Sequence, residues 1–406
     1  MKRPRILIAV VILSAAILAC ALQPSASPST PDVNAIVSQT MQALTGIPGV
    51  VTTPSTSTQV PGLLPRSLHF LNADAAAHMQ IFRLETDGKT LTQVTAEPAD
   101  VEFYDVNQND GRIVYISNNQ MLLINADGSG RALLLDGGAQ DVNDPFINDI
   151  QSAVWSPNGE TIAYGFGGLN LYAVATGVSN RVLENQTRDI GNGMIFPDEL
   201  YWPDRYSPDG TKLLITLGYY EGASAAVYYP AGNSLVRLSG AEGALICCGE
   251  EQWSQDGSQF FAASPSMGMF NSGLWRIDAA SGQVTTLLPG EAGNGTFNFA
   301  DAPFLGPDGQ LYFFFANTPA TEEFFMDAPL QLVRSAADGV SGRAVILPDS
   351  FEEMNEALWS PDATFVIVAI AQNDQTYQGG QLEIVYLDGR PRVLLAPFGR
   401  DLKWGP

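Results

Sequence analysis

Trp155-Ser156-Pro157-Asn158-Gly159 runs into Glu160-Thr161-Ile162-Ala163-Tyr164, and this pattern returns along the chain. Tyr206-Ser207-Pro208-Asp209-Gly210 precedes Leu213-Leu214-Ile215, and Trp253-Ser254-Gln255-Asp256-Gly257 precedes Phe260-Phe261-Ala262. Leu305-Gly306-Pro307-Asp308-Gly309 and Trp359-Ser360-Pro361-Asp362-Ala363 lead into equally apolar runs, and Asn109-Asp110-Gly111 is a degenerate copy. Proline fixes φ and opens a turn, and Asp-Gly tolerates positive φ. Apolar strands flank the turn, so the unit is a β-hairpin. Copies lie about 50 residues apart, the signature of a propeller or solenoid.

A second turn recurs with the same period. It appears at Asp87-Gly88, Asp127-Gly128, Thr176-Gly177, Ala231-Gly232, Ser281-Gly282, Asp338-Gly339 and Asp388-Gly389. Two hairpins per period give four strands per blade. The copy missing from the first series is divided between the chain ends. Asp401-Leu402-Lys403-Trp404 reads as the strand carrying the repeat's Trp, and Ser67-Leu68-His69-Phe70-Leu71 as the strand that follows it. The expected fold is all-β: a seven-bladed β-propeller of four-stranded antiparallel blades, closed by a blade shared between the termini. Six and eight blades are the alternative counts. Closure into a ring leaves few exposed sheet edges, and the repeated Trp or Tyr fills the gap between blades.

These motifs resemble the WD40-like repeats of the TolB type, in which Trp-Ser-Pro-Asp-Gly precedes an apolar strand. The resemblance spans residues 64–406 and implies the propeller fold. It carries little about the ligand.

The chain opens with Lys2, Arg3 and Arg5 before an apolar run from Ile6 to Ala19. That run is shorter than the about 20 residues a spanning helix needs, and reads as a signal peptide over 1–19. Ile17-Leu18-Ala19-Cys20 resembles a bacterial lipobox, which implies cleavage before Cys20 and its lipidation. An ordinary secretory signal and an uncleaved anchor are the alternatives, and each places the body outside the cytoplasm. Residues 20–66 are rich in Pro, Ser and Thr, a tether composition. Within it Val33, Ile36, Val37, Met41 and Leu44 fall at helical spacing, so a short amphipathic helix is expected near 33–45. The propeller domain is placed at 67–406.

The 406 residues carry 43 acidic and 20 basic side chains, a net charge of −23. This excess repels nucleic acid and anionic lipid and suits cationic partners. Solubility alone also accounts for it. Beyond Cys20 the cysteines are Cys247 and Cys248, read either as free thiols or as a vicinal disulfide.

In such a blade the Pro-Asp-Gly turns and the second Gly turns share one face. The opposite face carries the longer loops, where binding residues concentrate. It also carries the residues just upstream of each repeat Trp: Asp100, Glu102, Asp149, Tyr201, Trp202, Asp204, Glu250, Glu251, Asp301, Glu352, Glu353 and Glu356. The closing copy, with Arg400, Asp401 and Lys403, is the one that brings cations, through Arg400 and Lys403. The expectation is an acidic central funnel, rimmed by Tyr219, Tyr220, Phe324 and Phe325, that takes a cationic peptide, an amine or a divalent ion. Loop acids that merely face water are the bland alternative. Asp105, Asn107 and Asn109 offer oxygens at alternate positions, as calcium loops do, but the Gly falls one place late and no Glu follows at the expected distance. No other cofactor is indicated.

No G-x-S-x-G elbow, H-E-x-x-H or phosphate-binding loop is present, and the histidines are His69 and His78 alone. The residues favour a lipid-anchored extracytoplasmic binding or scaffold module, recognising an envelope protein or a cationic ligand. The alternative is an extracytoplasmic hydrolase or lyase acting on peptide or saccharide in the same funnel, with carboxylates as its acid and base.

Overall fold

The computed structural model describes residues 62–406 except 142–144, 192, 241–243, 245, 248–251, 267–269, 320–327 and 374. The expected signal peptide, Cys20, the tether and its helix lie outside the described residues. Among the described residues the regular structure is β, apart from two single-turn helices at Pro145–Ile147 and Pro230–Gly232. No helix among them is long and apolar enough to cross a membrane.

The repeat builds its hairpins by a fixed bonding scheme. Ser156 Oγ donates to Asn158 Oδ1 at 2.7 Å and accepts the Thr161 N–H at 3.0 Å. Ser207 repeats this with Asp209 and Lys212, and Ser254 with Asp256 and Gln259. The serine thus closes the turn whose Pro and Asp open it. Gly159 adopts φ +71, the left-handed region, and Ala363 holds the same place at φ +56. A Cβ on Gly159 would stand 2.7 Å from Asn107 Nδ2 of the preceding repeat, so the turns of one face nest against one another.

Successive strands pair antiparallel in groups of four. Val101–Val106, Ile113–Ser117, Gln120–Ile124 and Ala132–Asp136 form one group, and Ala153–Trp155, Thr161–Gly165, Gly168–Ala173 and Val178–Glu184 form the next. Met194–Tyr206, Leu213–Tyr219, Gly222–Tyr229 and Ser234–Arg237 follow, with Gln186–Gly191 as an extra fifth strand. Then come Gln252–Trp253, Gln259–Ser264, Gly273–Asp278 and Val284–Pro289, and after them Thr296–Leu305, Leu311–Pro319, Gln331–Ser335 and Ala344–Val345.

The remaining strands make one seven-stranded sheet, because Val393–Trp404 serves twice. Its first part pairs with Gly380–Tyr386, beside Phe365–Ile370 and Met354–Trp359 (Ile384↔Val393, Gly380↔Gly399). Its second part pairs with Leu68–Ala73, beside Met79–Leu84 and Leu91–Gln93 (Leu68↔Trp404, Leu71↔Arg400). The end of the chain therefore completes the sheet begun at residue 68. Counted this way, the described strands fall into seven groups of four.

The core is a series of apolar clusters between neighbouring groups. Leu71 and Ile81 meet Tyr104 and Tyr115, Ile116 and Met121 meet Trp155, and Val154 and Leu169 meet Tyr201 and Leu217. Val227 meets Phe260 and Trp275, Phe261 meets Phe313, and Phe314 meets Trp359 and Val368. The last cluster returns to the start, joining Ile367 and Leu382 to Leu68 and Phe70. Each large side chain buried here contributes about 1.5–3 kcal/mol. Radial sheets packed face to face in this order are a β-propeller. Leu64 is buried in the closing cluster, and its N–H donates to Thr86 O at 2.9 Å, so the packed domain reaches upstream of the expected start at residue 67.

The first strand of several groups carries a bulge near the residue three places before the repeat Trp. Asp401 and Ala302 sit there at φ +55 and +46, and Pro203 sits at a register shift. Each turns its carbonyl to a neighbouring group. The Tyr104 hydroxyl donates to Asp401 O, Ser152 Oγ to Pro203 O, and Trp359 Nε1 to Ala302 O at 2.9 Å. Bulges expose backbone groups that the ladder would consume. Here those groups tie one blade to the next.

Candidate functional site

The acids of the expected funnel divide by their bonding. One set is engaged by the scaffold. Asp105, expected in a calcium loop and not in the funnel, is bonded in the same way: it accepts the Trp155 N–H at 2.8 Å and faces Lys403 Nζ at 3.8 Å. Asp204 accepts the Thr216 hydroxyl at 2.8 and 2.9 Å, and Asp301 accepts the Ala302 N–H at 2.7 Å. Glu356 accepts the N–H groups of Asp401 and Leu402.

The other set comes from two adjacent groups, beside Val101–Val106 and ahead of Ala153–Trp155. Burial, then the nearby Asp149 and Asp100, raise the Glu102 carboxyl above its ordinary range. Burial raises Asp149 as well, against the pull of Gln140 Nε2, which donates to it at 2.6 Å. Asp100 lies 3.5 Å from His78 Nδ1. Acids from two adjacent groups thus meet at Glu102, and like charges in one place favour a cation beside them. Glu352 and Glu353 are exposed, the latter at φ +52. Glu250, Glu251, Phe324 and Phe325 lie outside the described residues.

The predicted aromatics gather on one group. The Tyr201 hydroxyl donates to Glu199, and Tyr219 does so at 3.2 Å. Arg237 forks onto both Glu199 oxygens at 2.6 Å, and that pairing, ahead of the tyrosines, holds the Glu199 carboxyl below its usual range. The half-buried Trp202 lies over Gly218: a Cβ there would stand 2.2 Å from Trp202 Cη2. Tyr220 is exposed and stacks on Phe196 at 4.9 Å. Phe196 belongs to a ribbon formed by Gln186–Gly191 and the start of Met194–Tyr206. The ribbon is absent from the sequence expectation, although Gly191-Asn192-Gly193 between Asp189-Ile190 and Met194-Ile195-Phe196 is a hairpin signal.

Asn107 and Asn109 make the contacts of an ordinary repeat turn, and Asp105 bonds to neighbouring groups. Asn107 Oδ1 accepts the Asn109 N–H at 2.9 Å, and Asn109 Nδ2 donates to Pro157 O at 2.8 Å. Among the described residues no group of three or more His, Cys, Asp or Glu is placed to hold a metal ion. His69 is buried beneath the closing strand, and burial, then Arg83, lower it to about 4, so it stays neutral. Cys247 is buried and disulfide-bonded. Cys248 lies outside the described residues.

No protein-family model matches this chain, and no curated protein matches it. Solved structures do. TolB from Acinetobacter baumannii is 17% identical over 95% of this chain and 89% of its own, with a TM-score of 0.43. The structure titled putative TolB from Agrobacterium tumefaciens is 14% identical over 73% of this chain and 95% of its own, at 0.40. A protein from Lactobacillus plantarum is 15% identical over 84% of this chain and 99% of its own, at 0.50. At such identities the likeness is one of fold alone.

Proposed function

We propose that this chain is a lipid-anchored extracytoplasmic binding or scaffold module, a seven-bladed propeller that receives a protein partner or cationic peptide at an acidic mouth on its long-loop face. The anchor rests on the lipobox-like run ending at Cys20, and the tether on the Pro/Ser/Thr-rich stretch after it. The observation that carries the binding reading is the gathering at Glu102, in Val101–Val106, of Asp100 just before that strand and Asp149 from the loop ahead of Ala153–Trp155: burial first, and these two charges after it, raise Glu102. Asp204 and Asp301, engaged by Thr216 and the Ala302 N–H, contribute charge without offering free oxygens to the same degree.

Titration of the full chain with an Arg-rich peptide, by calorimetry at low and at high salt, tests this reading. Binding is expected to weaken at least about tenfold as salt rises and the charges are screened. The double variant Glu102→Gln with Asp149→Asn should lose a similar factor at low salt. Parent-like binding by that variant overturns the mouth as the site.

A further inference from the structure

Gln186–Gly191 and the first residues of Met194–Tyr206 extend beyond the four-stranded pairing of their group. Met194–Tyr206 is 13 residues long, and its pairing with Leu213–Tyr219 begins only at Leu200↔Gly218. Its earlier part pairs with Gln186–Gly191 (Arg188↔Phe196, Asp189↔Ile195). A two-stranded ribbon therefore extends past the turn at Tyr219↔Gly222. All six residues of Gln186–Gly191 are exposed, and in the sheet this strand stands last in order, with no described strand on its outer side.

An isolated ribbon is marginal in water. This one is braced. Arg188 Nε meets Asp198 at 2.9 Å, its guanidinium lies 4.5 Å over Phe196, and Phe196 stacks on Tyr220. Open edges are usually blunted by an outward charge, a Pro or a bulge. Here the register shifts fall at the two ends of the strand, at Gln186/Thr187 and Asp189/Gly191, its outward charge is the acidic Asp189, and its one basic side chain is folded back onto its own ribbon. Ile190, Met194 and Tyr220 are 51, 57 and 65% exposed around it. The charges have a direction too. Arg181, Arg188 and Arg237 are paired with Glu184, Asp198 and Glu199. Asp189 and Glu221 have no cationic partner among the described residues, and Asp189 spends one oxygen on the Gly191 N–H.

We propose that the outer edge of Gln186–Gly191 binds an extended, basic segment of a protein partner by strand addition. Main-chain bonds to the open edge supply affinity, and side chains at alternate positions supply choice. Lys or Arg beside Asp189 gains a counter-charge, and apolar residues at the intervening positions cover Ile190 and Met194. The acidic mouth is not required for this contact.

The test is hydrogen exchange on the full chain with and without a short peptide of alternating Lys and Val, together with its affinity by fluorescence anisotropy. Amides within 186–191 should exchange at least about tenfold more slowly with peptide present. Asp189→Lys should weaken binding about tenfold or more, and Thr187→Pro, which denies the edge a donor, by a similar factor. The slowing is read at the amides of 186–191 themselves, which separates this contact from peptide held at the acidic mouth. Unaltered exchange at 186–191, or parent-like binding by Asp189→Lys, overturns the proposal. So does a dimer of the full chain in sedimentation that is lost in Thr187→Pro, since it gives the edge to a second copy.

Discussion

The Glu356 carboxylate accepts the backbone N–H of Asp401 at 2.7 Å, across the seam where the last blade meets the closing strand. Its other oxygen takes the Leu402 N–H. Burial, with the like charge of Asp401, pushes its carboxyl from 4.5 up to about 7, although the two N–H groups and Lys403 pull downward. The folded chain therefore holds this proton more tightly than the unfolded chain. The resulting stability is fully present below pH 4.5, falls as pH rises towards 7, and is level above it. The shift corresponds to about 3 kcal/mol. Glu356→Gln should remove this pH dependence, so the difference in unfolding free energy between parent and variant should change by that amount from pH 4 to 8 in urea titrations. Parallel pH profiles would exclude this role.

Removal of Asp401–Pro406 should unlatch the ring. The segment carries the buried Leu402, and Trp404 Nε1 donates to Trp359 O at 2.8 Å. Gly405 N–H donates to Ser67 O at 2.8 Å, and the Tyr104 hydroxyl reaches Asp401 O. Several buried groups lose partners together, so the loss should be about 4 kcal/mol or more. A truncated chain that melts with its parent in calorimetry would contradict the double use of Val393–Trp404.

Much of this architecture is legible in the residues because the repeat is local. Ser, Pro and Asp-Gly close their own turn, as Ser207 and Asp209 do, and the alternating strands after them need only a partner sheet. The shared blade is legible because the repeat breaks off at Trp404 and resumes at Leu68. The division of the acids is not. Whether Glu356 faces a backbone N–H or the mouth depends on a register shift between Met354 and Glu356. Such a shift redirects a side chain without a sequence mark. The ribbon escaped for another reason: its strand Gln186–Gly191 is exposed throughout and lacks the apolar alternation by which strands are recognised.

Tyr206→Trp should stabilise the fold. Four copies of the repeat carry Trp where this one has Tyr206. A cleft of about 180 Å³ opens beside it, lined by Ser156, Thr161, Leu171, Asp209 and Pro230. An indole there would fill space now bordered by Leu171 and Pro230, a gain of about 0.5–1 kcal/mol. The check is a higher urea midpoint at unchanged slope. A lower midpoint would mean that the cleft walls cannot accept the larger ring.

Arg131→Met should act with the opposite pH sense to Glu356→Gln. Glu97 is 7% exposed and receives Arg131 through two bonds, at 2.7 and 2.9 Å, with the Tyr115 hydroxyl at 2.7 Å. Arg131, ahead of Tyr115, holds the Glu97 carboxyl below its usual range against the cost of burial. A depressed carboxyl stabilises the fold above its unfolded pKa, and that contribution is lost as pH falls. Removing the guanidinium leaves a buried carboxylate with one neutral donor. The cost at pH 7 should be about 2–4 kcal/mol, since one partner of a buried pair is removed and the other stays. Near pH 4 Glu97 in the variant takes up a proton and the penalty should shrink. A loss that is the same at both pH values would assign Arg131 to packing through its aliphatic stem, and not to charge.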